Sequence, residues 1–177
     1  SSDLSAEGAQ VIYHGNDEAP PMPMAVVGDI TTEEGSAQVL KQVAALDCSV
    51  DILVNNYGTT DNHRWTDADT ATWLSLYQIN TLSALRMASG LVDGMKDSGW
   101  GRIVNLGTAG TFKPSAARPA YYAAKSALAV MGASLAQELA GTGITVNTVS
   151  PGLIRTEQVE AGYTRLARKL GRSAQWQ

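Results

Sequence analysis

The sequence predicts an α/β fold, doubly wound around a parallel sheet, and three observations carry that prediction. Short apolar runs of strand length recur at residues 51–55 (DILVN), 102–106 (RIVNL) and 144–149 (ITVNTV). Runs of this kind suit strands buried on both faces, as parallel strands are. Stretches with helical periodicity separate them, so strand and helix alternate along the chain. The loops after the strands are rich in Gly, Pro and small polar residues, as in Asn55-Asn56-Tyr57-Gly58 and Ser150-Pro151-Gly152.

Taken in order, residues 4–8 read as the end of a helix. Residues 9–14 (AQVIYH) read as a strand bounded by Gly8 and Gly15. His14 is a strand residue, without the spaced companions a metal site needs. Residues 16–23 form a polar connection in which Pro20-Pro21 exclude regular helix. Residues 24–30 (MAVVGDI) are the next strand, with Asp29 just beyond its apolar part and well placed to cap the next helix. Residues 32–46 have a helical face of Ala37, Val39, Leu40, Val43 and Ala44, and Glu33 and Glu34 favour the positive end of the helix dipole.

After the 51–55 strand and a polar loop at 59–65, residues 66–98 read as one long helix. Trp73, Leu74, Leu76, Ile79, Leu82, Leu85, Val92 and Met95 mark its apolar face. Asn80 falls in the middle, where its amide competes for backbone hydrogen bonds. Ala84, Ala88, Ser89 and Gly90 allow close helix packing. Pro119 suits the first turn of a helix that ends near Gly141, and Gly143 precedes the 144–149 strand. Small residues recur along this helix too, Gly132 and Ala133 among them. Residues 158–170 form an amphipathic helix with a basic end, Arg165, Arg168 and Lys169.

Bulk composition narrows the classes of function. The chain has 177 residues, enough for one domain with a real core and too few for two ordinary ones, so residues 1–177 are expected to form a single domain. It is 44% hydrophobic and 17% charged, which suggests extensive burial or subunit contacts. A net charge of −4 with no basic stripe argues against nucleic-acid binding. No apolar run approaches membrane-spanning length. Cys48 is the single cysteine, so no internal disulfide can form, which fits a reducing, cytoplasmic setting.

The chemistry concentrates in residues 101–156. Tyr121 and Lys125 stand at i and i+4, one turn apart on one helix face. An ammonium near a phenol favours the phenolate and draws the phenol down from its resting pKa of about 10. Such a phenol can exchange a proton with an alcohol or carbonyl near neutral pH. Tyr122 lies about 100° around the helix from that face. The strand before this helix leads to a small hydroxyl residue, Thr108. Lys113 and Arg118 lie in the loop between.

The order of these motifs resembles the short-chain dehydrogenase/reductase family. Asn55-Asn56-Tyr57-Gly58, Asn80, Asn105 to Thr108, Tyr121-x-x-x-Lys125 and Pro151-Gly152-x-x-x-Thr156 carry the resemblance, which covers roughly residues 8–156. It implies a Rossmann-like fold. It also implies hydride transfer between a nicotinamide cofactor, NADP or NAD, and a small carbonyl or alcohol substrate. Under it Tyr121 is the proton donor, Lys125 tunes Tyr121 and binds the nicotinamide ribose, Thr108 positions the substrate oxygen and Asn80 holds a relay water. Asp29 would meet the adenine amino group, and Asn55 and Gly58 would lie along the cofactor. Pro151, Gly152, Ile154 and Thr156 would hold the nicotinamide, and residues 158–170 would form a lid. No metal is implied.

The family pattern also exposes departures. Gly107-Thr108 replaces the usual Ser-Ser, and Tyr57 replaces an Ala. The first strand with its glycine-rich turn, and the last strand, have no counterpart here, so the chain is expected to be incomplete at both ends. Gly15 and Asn16 place no carboxylate at the tip of the 9–14 strand, which favours NADP over NAD. The resemblance further implies a homodimer or homotetramer, built on the small-residue faces of the Asn80 and Tyr121 helices. A non-catalytic nucleotide-binding or assembly subunit on the same fold is the alternative.

Overall fold

Parallel pairing accounts for every strand ladder in the computed structural model, which describes residues 2–169, 171 and 173. The elements in order are α1 (Ser2–Ala6), β1 (Tyr13–Gly15), β2 (Ala25–Val27), α2 (Glu33–Ala44), β3 (Ile52–Asn55), α3 (Thr70–Tyr77) and a π turn (Gln78–Leu82). They continue with α4 (Ser83–Ser98), β4 (Gly101–Leu106), a short 3-10 turn (Ala109–Thr111), α5 (Pro119–Glu138), β5 (Ile144–Val149) and α6 (Glu157–Lys169).

The strands form two sheets. β1 pairs with β2, and β3, β4 and β5 lie in that order. Registers place His14 opposite Val26, Asn55 opposite Asn105 and Ile103 opposite Val146. Two apolar clusters hold the helices to the sheets. One joins Ala88 and Met95 of α4 to Ile103, Ile144, Val146 and Leu139. The other joins Val26, Ile30, Val39, Val43 and Met87, and Leu53 and Tyr57 from the β3 side pack against it. Side chains, not a hydrogen-bonded ladder, therefore bridge the two sheets.

The long helix expected at 66–98 is broken. It begins at Thr70 because Asp69 caps it, its Oδ1 accepting from Thr72 N at 2.8 Å and Thr72 Oγ1 at 2.7 Å. At residues 78–82 it widens into a π turn, where Asn80 Nδ2 donates to Leu76 O at 2.9 Å and Ser83 Oγ to Ile79 O at 2.6 Å. Polar side chains competing for helix carbonyls are a known cause of such irregularity.

The first two strands are shorter than their apolar runs. A Cβ on Gly15 would fall 1.9 Å from Glu18 O, so the chain folds back on itself directly after β1 and only glycine fits there. The helix expected at 32–46 spans 33–44, because Thr32 is its cap, with Oγ1 accepting from Gly35 N at 3.0 Å. The last helix covers 157–169, and Leu170 lies outside the described residues.

Two of the small residues assigned to helix packing lie against side chains of the same chain, Gly132 buried and Gly90 at the surface. A Cβ on Gly90 would meet Leu40 of α2 at 2.2 Å, so this glycine lets α2 and α4 approach. A Cβ on Gly132 would meet Asn105 Nδ2 at 2.8 Å and Thr148 Oγ1 at 3.2 Å. Asn105 is 1% exposed and has little room to yield. Gly132→Ala is therefore expected to destabilise the fold by about 1–3 kcal/mol through overpacking, read as a lower urea midpoint. An unchanged midpoint would mean that the Asn105 amide can move aside.

Candidate active site

The site grows from the carboxyl ends of β3 and β4. Asn55, the last residue of β3, lies in register with Asn105, the last but one of β4; both are buried, and Asn55 Nδ2 donates to Asn105 Oδ1 at 2.9 Å. This cross-strand bond levels the two strand ends, so the loops beyond them leave at the same height. Beyond β3, the exposed backbone at Gly58 runs against two polar side chains. A Cβ there would fall 2.8 Å from Asn80 Oδ1 and 3.2 Å from Lys125 Nζ. Glycine is required at this position because those two polar groups close in on it.

The π turn brings Asn80 to that point. Its Oδ1 accepts from Thr59 N at 3.2 Å while its Nδ2 holds the helix carbonyl of Leu76. The neighbouring Thr81 Oγ1 donates to Ala124 O at 2.8 Å and fixes α5 against the turn. One residue on, Lys125 is 5% exposed, and its Nζ donates to Leu106 O, the last carbonyl of β4, at 2.7 Å. Burial pushes the Lys125 ammonium below the ordinary lysine value.

Tyr121 stands one turn before Lys125 on α5 and is half-buried. Its ring lies 5.5 Å from that of Tyr122, tilted by 55°. The Tyr122 ring packs over the 3-10 turn, so closely that a Cβ on Gly110 would fall 2.4 Å from it. Thr108 caps that turn in an extended conformation, with Oγ1 accepting from Gly110 N at 3.3 Å. Gly107 N donates to Val149 O and Ala109 N to Pro151 O, each at 2.8 Å. These two bonds lock the Thr108 loop beside Pro151.

The remaining expected residues lie further out. Gly152 and Ile154 are exposed on the rim. Thr156 opens α6, its Oγ1 accepting from Val159 N at 3.3 Å, and Arg155 pairs with Glu160 through two bonds of 2.7 and 3.2 Å. Asp29 sits at the other end of the molecule's strand tips. Its Oδ1 accepts from Thr31 N at 2.9 Å and Thr31 Oγ1 at 2.6 Å, and these bonds hold its carboxyl below the usual range. The structure thus gathers Gly58, Asn80 and Lys125 at one point and Thr108 with Pro151 at another. Asp29 and Thr156 are engaged in local turns.

Sequence reasoning missed three supports. Thr81 and the Leu106 carbonyl left no signal, since a mid-helix Thr and a strand-end carbonyl are commonplace. The third is a clamp at the entry to α5. Arg118 adopts φ 62°, its N donates to His63 O at 2.8 Å and its Nη2 to Asn62 Oδ1 at 3.2 Å, and Arg64 bridges Ala117. Among the described residues no group of three potential metal ligands forms.

Parallel strands with the helix of Tyr121 and Lys125 packed against them make an α/β fold of the doubly wound, Rossmann-like class. The model of the short chain dehydrogenase family matches residues 2–165. The chain is similar to an acetoacetyl-CoA reductase of Cupriavidus necator, 35% identical over 134 residues, 76% of this chain and 54% of that protein. It is 34% identical over 133 residues to a 3-oxoacyl-(acyl-carrier-protein) reductase of Vibrio cholerae, covering 75% and 54%. The crystal structure of L-sorbose reductase from Gluconobacter frateurii, complexed with NADPH and L-sorbose, superposes with a TM-score of 0.76 at 32% identity, over 84% of this chain and 56% of that one. The chain belongs to the short chain dehydrogenase family, and it spans about half the length of the curated relatives it matches.

The buried lysine has a pH signature. Its folded value lies below the unfolded one, so between the two the unfolded chain binds the extra proton and stability rises with pH. Wild-type protein is therefore expected to gain stability as pH climbs toward the ordinary lysine value of 10.5, and Lys125→Met to lose that part of the gain. Urea midpoints of the two proteins across this window check it. Parallel pH profiles would show that the ammonium is solvated.

Proposed function

We propose that this chain carries the catalytic half of an NAD(P)-dependent oxidoreductase that interconverts a small carbonyl compound and its alcohol. The observation that carries the reading is the buried Lys125 ammonium, one turn from Tyr121 and meeting Asn80 at the backbone of Gly58. An ammonium is costly to bury and is seldom retained without a task.

The residues present fit a nicotinamide nucleotide. Gly58 lies so close to Asn80 and Lys125 that any side chain there would collide with them, and its exposed backbone can border a ligand. Of the three N–H bonds of Lys125, one goes to Leu106 O, which leaves donors for ribose hydroxyls. Pro151, held beside the Thr108 loop, supplies an apolar face, and Gly152, Ile154 and Thr156 supply the rim. When bound, the cofactor supplies or accepts the hydride. In the reduction, Thr108 Oγ1 donates to the substrate oxygen and steadies it. Tyr121 gives its phenolic proton to that oxygen as the carbonyl carbon is reduced. The Lys125 ammonium stabilises the resulting phenolate, and Asn80 offers the polar path by which the proton is replaced.

NADP is favoured over NAD because Gly15 and Asn16, at the tip of β1, put no carboxylate where a 2′-phosphate would sit. The NADPH bound by L-sorbose reductase agrees with that choice. The reductases among the relatives point to a keto group as the substrate's reacting centre. Among the described residues no helix is long and apolar enough to cross a membrane. A single cysteine, unable to close an internal disulfide, favours the cytoplasm. Exposed apolar side chains on α3, α4 and α5 (Leu74 62%, Leu85 42%, Val130 71%) favour a homo-oligomer.

Following NADPH consumption with a panel of ketones tests the reading. Tyr121→Phe is expected to lower turnover by about 10²-fold or more, the usual worth of a positioned acid. Thr108→Ser should retain activity that Thr108→Ala loses. Full turnover by Tyr121→Phe would reject the assignment, and tight NADPH binding without any turnover by wild type would favour the non-catalytic alternative. For the assembly, Leu74→Glu with Val130→Glu should yield a smaller species in sedimentation; an unchanged mass would move the interface elsewhere.

A further inference from the structure

The loop between β3 and α3 meets α5 twice. At its start the backbone of Gly58 lies against Lys125 Nζ, and Thr59 N donates to Asn80 Oδ1 at 3.2 Å. Further on, the loop meets the residue that begins the helix. Arg118 N donates to His63 O at 2.8 Å, Arg118 Nη2 donates to Asn62 Oδ1 at 3.2 Å, and Arg64 forms an antiparallel bridge with Ala117. Tyr121 stands between these two contacts, after Arg118 and before Lys125. The loop is itself anchored. Arg64 N donates to Asp67 Oδ1 at 2.9 Å and Ala68 N to Arg64 O at 3.0 Å, just before the Asp69 cap of α3.

Arg118 is the strained point of this arrangement. Its φ of 62° and ψ of 41° lie in the left-handed region, which is unfavourable for a residue with a Cβ. Pro119 follows, and a proline pushes the residue before it toward extended backbone. Arg118 gains no side-chain cap bond to α5 in return. A conformation of this kind persists where its surroundings over-determine it, and here residues 62–64 do the holding. The helix winds from that point, since Tyr122 N donates to Arg118 O at 3.2 Å. We propose that Arg118 is a positioning residue for the proton transfer: the loop keeps its backbone left-handed and so fixes the first turn of α5 and the Tyr121 phenol, while Gly58 and Asn80 border the next turn at Lys125. Arg118 touches no reacting atom in this role, which rests on the reading of Tyr121 as proton donor.

Variants that differ in their tolerance of left-handed backbone test the proposal. Arg118→Gly and Arg118→Asn accept it, and the β-branched Arg118→Val resists it. Amide exchange of Tyr122, read by NMR, reports the first turn of α5 without any cofactor. NADPH fluorescence and ketone turnover report the site. Arg118→Val is expected to speed Tyr122 exchange about tenfold and to lower kcat about tenfold or more, with NADPH affinity unchanged. Arg118→Gly and Arg118→Asn should hold exchange and kcat within about threefold of wild type. Should Arg118→Val fail to fold, Arg118→Ala, which loses only the bond to Asn62, should move both readouts the same way by less. Equal exchange across the series overturns the proposal. Faster exchange in Arg118→Val with wild-type kcat overturns it too, as does a matching fall in NADPH affinity, which marks general loosening. An equal kcat loss in every variant makes the guanidinium itself the working group and overturns the backbone role. Absence of ketone turnover by wild type rejects the proton-donor reading and this role with it, whatever the exchange shows.

Discussion

A lysine ammonium lies in the interior at the end of β4, with the carbonyl of Leu106 against it. Removing that charge from water is unfavourable unless polar groups meet it, and much of the surrounding structure answers to that need. β4 must end where its last carbonyl faces α5. α5 must hold its register, which Thr81 secures through the Ala124 carbonyl. The helix carrying Thr81 widens there, where the side chains of Asn80 and Ser83 take up the helix carbonyls of Leu76 and Ile79. The π turn at residues 78–82 is the result, and Asn80 stabilises it by bonding Leu76 O and Thr59 N. Gly58 obeys the same constraint, since any side chain there would collide with Asn80 and Lys125.

The strand ends impose a second layer of order. The Asn55–Asn105 bond lies across β3 and β4 in register, and Gly132 of α5 approaches within reach of the same amide. A buried polar pair of this kind is stable only when its geometry is kept, so it couples the level of two strands to the seating of one helix. The loop bonds from Gly107 and Ala109 to β5 and Pro151 extend that order to the Thr108 side of the site. Tyr121, Lys125 and Thr108 are thus carried by elements tied to one three-stranded sheet. α2 and the first sheet join it through apolar packing and through the ion pair of Arg86 on α4 with Glu33 on α2.

Much of this is legible in the residues. The apolar runs at 51–55, 102–106 and 144–149 coincide with β3, β4 and β5 to within one residue, because their β-branched and apolar residues suit parallel strands, although the burial on both faces expected of them fails at β3, where Ile52 and Val54 are exposed. Asn80 is legible as a disturbance in a helix, though not as a π turn, since the widening depends on Thr59 and Ala124, far away in sequence. The cap at Asp69 is illegible because Thr66, Asp67 and Asp69 all offer plausible starts. The runs at 9–14 and 24–30 overstate β1 and β2, because an apolar run records burial, whereas strand length also needs a partner ladder. The turn at Gly15 ends that ladder early. Gly90 and Gly132, taken as letters, suggest a surface for another subunit. A row of small residues shows only that something comes close, and here Leu40 and Asn105 of the same chain do.

The direction of a side chain leaving a loop is the least legible feature of all, and Tyr57 illustrates why. Asn-Asn-x-Gly after a strand announces a turn with close backbone approach, and nothing in those letters says which way the third residue points. The answer comes from the neighbours. Gly58 has no space beside Asn80 and Lys125, so bulk at 57 can be accommodated only on the opposite side, where His14 and the β2–α2 cluster form an apolar wall. The Tyr57 ring is settled by packing that no short stretch of letters records, edge to face on His14 and against the cluster of β2 and α2.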